Sequence, residues 1–364
     1  MPPAAPVDRI DVRVLSVPTD APEADGTFEW SSTTMVLVEA RASGITGLGY
    51  TYCDAAAGGI VERTLAPFVC GLDALDVPRA QAAMVRAVRN MGWPGIAAAA
   101  ISAVDTALWD LKARLLDVPL AHLFGTVRDA VPIYGSGGFT SYADDRLAAQ
   151  LAGWVDREGC RAVKMKIGAD GRRDAGRMRL AKEAIGSADL MIDANGALAR
   201  KQALNVATLA AGLGVVWFEE PVSSDDPEGL RLLVERAPPP VAIAAGEYGY
   251  TPFHFRRLLE AGAVDVLQAD ATRAGGYTGF LVAAALAGAH GVPLSAHTAP
   301  AVHLPVCLAV PGLLHLEWFH DHVRIEAMLF EGAPHPHAGS IRADPSRPGN
   351  GLTLVEREAA RFAA

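Results

Sequence analysis

At 364 residues, with 51% hydrophobic and 20% charged residues, the chain has the composition of a soluble globular protein with room for more than one domain. A net charge of −9 and the lack of a long basic run speak against nucleic-acid and anionic-membrane partners. No apolar stretch is long enough to span a bilayer, and the first six residues lack the regions of a signal peptide. The four cysteines, Cys53, Cys70, Cys160 and Cys307, show no metal-binding spacing and fit reduced thiols, so a cytoplasmic protein is expected.

In chain order, strand-like runs at 10–17 and 34–39 flank a polar loop, 19–30, rich in Pro, Asp and Glu. A helical region follows and ends with an alanine-rich stretch in which Ile101, Val104, Leu108, Leu111 and Leu115 recur at helical spacing. Pro119 and Gly125 punctuate its end. Residues 1–128 therefore read as an α+β domain.

From 129 to 330 a unit repeats. Apolar runs fall at 131–134, 162–166, 190–193, 215–219, 241–245, 264–268, 292–295 and 313–317. Helical stretches such as 175–184, 201–211 and 277–289 lie between most of them. Alternating runs of this kind argue for parallel βαβ units, and eight of them fit an α/β fold of the (β/α)8 barrel type. The 295–313 link is less plainly helical, although 302–310 can supply a short helix. An open doubly wound sheet is the alternative, but Tyr134-Gly135-Ser136-Gly137-Gly138 only weakly imitates its phosphate loop. The tail, 331–364, is rich in Pro, His and Gly and is expected to pack back on the first domain, with 352–355 as an edge strand.

Within the run Ala162-Val163-Lys164-Met165-Lys166, the two lysines are two apart and so share one face of a strand. Each ammonium disfavours protonation of the other, which can bring a lysine toward the range of a base. Taken alone, an edge strand with solvated lysines explains the pair as well. The other strand ends change the weighing: Asp193 with Asn195, Glu219, Glu247, Asp270, His297 and Glu317 follow in turn. Barrel active sites lie at these ends. So many ionisable groups in one mouth require neutralisation. Asp193, Glu219 and Glu247 come from three successive strands, and oxygen-only ligands suit Mg²⁺, with Mn²⁺ second. Of Glu219-Glu220, only one is expected to point inward; Glu219 is nearer the strand, leaving Glu220 as a brace.

Together these motifs resemble the enolase superfamily, and within it mandelate racemase and the acid-sugar dehydratases. They are Lys164-Met165-Lys166, Asp193-Ala194-Asn195-Gly196, Phe218-Glu219-Glu220-Pro221, Ala245-Gly246-Glu247, Asp270 with Gly275-Gly276, Ser295-Ala296-His297 and Leu316-Glu317. The helix around Ser102-Ala103-Val104-Asp105 is similar to the one preceding that family's barrel. The resemblance implies a capping domain over a modified barrel, and Mg²⁺-assisted removal of a proton α to a carboxylate. It makes Lys166 and His297 bases on opposite faces of the α-carbon, with Asp270 orienting the imidazole. Lys164 and a protonated Glu317 would stabilise the enediolate oxygens. Asp270 stands where muconate cycloisomerase-like members carry a lysine, which argues against that activity; enolase's own acid/base set also differs.

Dehydration of an aldonate or aldarate to a 2-keto-3-deoxy acid is the leading expectation. Two-base racemisation or epimerisation of a 2-hydroxy acid is the alternative, and a non-catalytic binding protein on an inherited barrel is a further one. Asn195, Trp30, Tyr52, Trp318 and His320 are the candidate substrate contacts, with Phe28, Tyr50 and His322 beside them. No clear second arginine clamp for a diacid is evident apart from Arg273, which favours a monoacid. A small carboxylate ligand and a homo-oligomer, dimer to octamer, are expected.

Overall fold

The computed structural model describes residues 5–364, so part of the segment judged for a signal peptide, residues 1–4, lies outside it. A three-stranded antiparallel sheet, β1 (Arg9–Ala24), β2 (Glu29–Ala42) and β3 (Ile45–Tyr52), begins the cap. Most of the expected 19–30 loop is strand. β1 pairs with β2 on both sides of an irregularity between Pro18 and Glu23, where proline cannot donate to the ladder. The turn shrinks to 25–28, and the Asp25 carboxylate closes it by accepting from the backbone N–H of Thr27 at 2.6 Å and of Phe28 at 2.8 Å.

β2 is buried on both faces because its alternation serves two cores. Met35 and Leu37 face the barrel side, whereas Val36, Val38 and Ala40 join the cap core. The helix Ile96–Leu115 lies across β3, which offers Gly47 and Gly49 where the backbones approach. A Cβ on Gly49 would sit 2.3 Å from Thr106 Oγ1. The opposite side of that helix docks on the barrel helix Gly276–Ala289 through polar groups. Ser102 Oγ accepts from the N–H of Gly275 and Gly276, and Asp105 accepts from the N–H and hydroxyl of Thr278.

The barrel strands are β4 (Val131–Gly137), β5 (Ala162–Lys166), β6 (Asp189–Asp193), β7 (Val215–Glu219), β8 (Ala242–Ala245), β9 (Val266–Ala269), β10 (Leu294–Ala296) and β11 (Leu313–Phe319). All neighbours are parallel and β11 pairs with β4, so the sheet closes and the open-sheet alternative falls away. The 295–313 link carries the helix Pro300–Cys307, with Pro305 inside it. Tyr134, Met191, Trp217, Ala244 and Val266 form an inner cluster contributed by five strands.

The tail touches both units. Ser340–Ile341 pairs antiparallel with β4. Further on, Glu356 meets Arg13, and Phe362 O accepts from Ser16 N–H. Among the described residues, no helix is long and apolar enough to cross a membrane.

Candidate active site

Strand alternation sends Lys164 and Lys166 inward from β5, where both are buried. Lys164 Nζ donates to both oxygens of Glu219 at 2.7 Å and also lies 2.9 Å from Glu317 Oε1. Lys166 Nζ lies 2.5 Å from Asp193 Oδ2. Parallel register sets Lys166 beside Asp193, and Asp193 beside Glu219.

Glu247 follows β8 through Gly246, whose φ of 131° and backbone packed on Gln268 leave no room for a side chain. Its carboxylate lies 2.6 Å from His297 Nε2. The other imidazole nitrogen, Nδ1, is 2.8 Å from Asp270 Oδ2. Asp270 is fixed in turn, because Oδ1 accepts from Thr272 N–H at 2.6 Å and from its hydroxyl at 2.7 Å. Arg273 stands between Asp270 and Glu247, at 3.6 and 3.9 Å.

Asn195 takes a left-handed backbone, φ 45°, and its N–H donates to Asp193 Oδ1. Glu219 faces Lys164, whereas the neighbouring Glu220, at φ 36°, borders a cleft of about 530 Å³ shared with Asn195, Tyr248 and His254. Asn195 Oδ1 and Glu220 Oε1 are buried there without a hydrogen-bond partner.

The electrostatics correct two expectations. Burial would depress Lys166, and Lys164 acts in the same sense, but the carboxylates of Asp193, Glu247 and Glu219 together outweigh them and hold the ammonium above its ordinary range. Burial likewise favours a neutral Glu317, yet Lys164 and His297 pull its pKa down to about 2, so it is a carboxylate rather than a protonated donor. Ser136, which sequence reading did not single out for the site, donates to it at 2.5 Å. His297 is pushed up to about 9: burial opposes the charge, but Glu247 and Glu317 favour it. Burial and the nearby Asp193 charge push Glu219 up to about 8.

The donor set fits a divalent cation. Among the described residues, six buried carboxyl groups, of Asp193, Glu219, Glu220, Glu247, Asp270 and Glu317, are met by Lys164, Lys166, Arg273 and His297, with His303 3.5 Å from Asp270. The anionic excess sits on β6 to β8, where the three oxygen ligands expected for Mg²⁺ lie.

Of the expected substrate contacts, Tyr52 stacks on His322 with 3.5 Å between ring centroids, and its hydroxyl is buried without a partner. Trp30 Nε1 donates to Glu23 and its ring meets Phe139 edge-on. Trp318, adjacent to Glu317, joins the main hydrophobic core. His320 Nε2 lies 3.2 Å from Asp20 Oδ2 in the cap. Thr272 and Trp217, the latter donating to Glu219 at 3.1 Å, are further site residues without a sequence signal of their own.

Residues 9–125 match the family model described as mandelate racemase / muconate lactonizing enzyme, N-terminal domain, and residues 146–359 match the enolase C-terminal domain-like model. L-talarate/galactarate dehydratase of Salmonella typhimurium is 33% identical over 309 residues, 82% of this chain and 77% of that protein. Its crystal structure with Mg and L-lyxarohydroxamate superposes with a TM-score of 0.89 at 28% identity, covering 100% of this chain and 94% of that one. The 3,6-anhydro-alpha-L-galactonate cycloisomerase of Streptomyces coelicolor is 34% identical, covering 88% of this chain and 89% of that protein. A mandelate racemase/muconate lactonizing enzyme-like protein from Rubrobacter xylanophilus is 54% identical with a TM-score of 0.96, covering 98% of this chain and 99% of that one.

Proposed function

The chain belongs to the mandelate racemase / muconate lactonizing enzyme family of the enolase superfamily, and from that premise we propose that it is a Mg²⁺-dependent hydro-lyase acting on a sugar acid. The observation that carries the reading is the placement of two bases around one carboxylate-rich centre. Lys166 comes from β5 and His297 follows β10, strands three apart around the closed barrel.

Asp193, Glu219 and Glu247 would hold the Mg²⁺, which when bound supplies positive charge to the substrate carboxylate and to the charge that develops on it. Lys166 is the base for the α-proton. Its ammonium is held by Asp193, so it can take a proton only when that carboxylate's charge is compensated elsewhere; Lys164 then favours the neutral amine. The α C–H bond breaks, and its electron pair forms the enol as the C3–O bond breaks. His297, charged at neutral pH, gives its proton to the departing hydroxyl, which leaves as water. The enol tautomerises to the 2-keto-3-deoxy acid. Asp270 orients the imidazole, Lys164 adds charge near the substrate oxygens, and Glu317 keeps both Lys164 and His297 protonated.

Asn195 and Tyr52, with unpartnered buried polar atoms, are the best-supported contacts to the substrate, and Trp30 supplies wall. An aldonate fits better than an aldarate, because Arg273 already faces Glu247 and Asp270. The galactarate activity in the name of the Salmonella relative keeps the diacid within the substrate class to be screened. A cytoplasmic homo-oligomer, dimer to octamer, completes the proposal.

A panel of aldonates and aldarates incubated with Mg²⁺ and followed for 2-keto acid should yield product with at least one member. Exchange of the α-proton in D₂O without loss of water would instead support racemisation or epimerisation by the same two bases. Silence across the panel, with no rise in melting temperature on adding Mg²⁺, would favour a binding protein.

A further inference from the structure

Among the described residues, only one group of His, Cys, Asp and Glu side chains brings three potential ligand atoms within 4.8 Å of one another, and it is not the strand-end trio: it is Asp20, Glu23 and His320. Asp20 and Glu23 lie on β1, on the stretch where its pairing with β2 is irregular. His320 opens the helix that follows β11, three residues beyond Glu317. The group therefore spans the seam between cap and barrel.

Glu23 is the informative member. It is fully buried; one carboxylate oxygen accepts from Trp30 Nε1 at 2.9 Å, and the other, Oε1, has no hydrogen-bond partner. A buried carboxylate oxygen left unpaired is costly and calls for a ligand. His320 Nε2 lies 3.2 Å from Asp20 Oδ2, while Asp20 Oδ1 accepts from Arg146. The other nearby cation, Arg324, is engaged by Asp321 and by Pro18 O. One imidazole and two carboxylates, two of the three residues reachable from solvent, make a mixed nitrogen–oxygen set. Such a set suits Mn²⁺ or Zn²⁺ better than Mg²⁺, which prefers oxygen. Ligands about 2.1 Å from a common ion lie within roughly 4.2 Å of one another, so closing the group needs a shift of under about an ångström.

We propose that Asp20, Glu23 and His320 form a second divalent-cation site, of the Mn²⁺/Zn²⁺ class, that ties β1 of the cap to the end of the last barrel strand. It shares no residue with the carboxylate trio of the proposed reaction, and the two sites separate in one experiment. Metal-free protein is titrated with Mn²⁺, and bound ion is counted by loss of the free-ion electron paramagnetic resonance signal. Wild type should take up two Mn²⁺ per chain, His320→Ala one, and Glu219→Gln one. A wild type that binds one, with His320→Ala binding none, keeps this site and removes the trio from the reading. Equal uptake by wild type and His320→Ala overturns the second site. If circular dichroism shows that His320→Ala does not fold, Asp20→Asn, an exposed side chain, decides by the same count.

Discussion

Asp270 Oδ2 lies 2.8 Å from His297 Nδ1, and that contact dictates which nitrogen of the imidazole meets the mouth. Thr272 occupies Asp270 Oδ1 from both its backbone and its hydroxyl, so Oδ2 is the oxygen left for the ring. With Nδ1 committed, Nε2 is the nitrogen that can exchange a proton, and it points at Glu247. Behind the pair, His303 Nε2 accepts from Ala271 N–H at 2.7 Å, which fixes the loop carrying Asp270.

Replacing Asp270 by Asn should therefore strike chemistry more than binding. The amide can present a donor to Nδ1 and so favours the wrong tautomer. A fall in kcat of roughly 10²–10⁴ is expected, with KM changed far less. Thr272→Val should give a smaller loss in the same direction. Steady-state kinetics on the substrate found by screening checks both, and a proportional rise in KM with kcat intact would contradict the positioning role.

Lys164→Met tests the charge balance of the mouth. The ammonium touches Glu219 and Glu317 and is wholly buried, so its removal strands carboxylates in a low-dielectric site. A loss on the order of 3–5 kcal/mol is expected in metal-free buffer. Added Mg²⁺ should raise the variant's melting temperature more than the wild type's, since the ion takes over part of the compensation. Thermal melts with and without Mg²⁺ decide it.

The contact of Gly49 with the helix Ile96–Leu115 is a purely steric matter. A methyl group there meets Thr106 Oγ1 at 2.3 Å and Ala103 O at 2.4 Å, both on a helix that cannot give way locally. Gly49→Ala should destabilise by about 1–3 kcal/mol or more, the ordinary cost of overpacking. Gly44→Ala serves as a contrast, since a Cβ there meets nothing within 4 Å and only its positive φ opposes the change. Chemical denaturation of the two variants should rank Gly49→Ala as the worse.

The barrel was legible because its signal is local: eight apolar runs with ionisable ends survive as a pattern without knowledge of any contact. The cap's first hairpin was not, because Pro, Asp and Glu along 19–30 read as loop, while long-range pairing to β2 and burial of Glu23 make 19–24 strand. Charge states were the least legible. Two lysines at i and i+2 suggest a depressed pKa, but the outcome depends on Asp193 and Glu219, which only the pairing of β5, β6 and β7 brings to them. Ser136 shows the same limit: nothing in Gly-Ser-Gly marks a hydroxyl that holds Glu317 until β4 meets β11.

Asp105 supplies the pH dependence. It is fully buried where the cap helix meets the barrel helix Gly276–Ala289, and a Cβ on Gly276 would lie 2.1 Å from its Oδ1. Burial raises its pKa to about 7 despite hydrogen bonds from Thr278 and the Tyr277 backbone. In the unfolded chain it titrates near about 3.9. Between those values the unfolded chain has lost the proton and the folded chain keeps it, so folding takes up a proton and stability falls as pH rises. The contribution of the neutral form is complete below about pH 4 and is gone once pH passes the folded value near 7. Asp105→Asn is neutral throughout and retains a carbonyl to accept from Thr278 N–H and an amide to meet its hydroxyl. The variant's stability should fall less between pH 5 and 8 than that of wild type, with the gap moving by roughly 2–3 kcal/mol in its favour. Denaturation curves at several pH values measure this directly; parallel pH profiles for the two proteins would show that Asp105 is already ionised in the folded state.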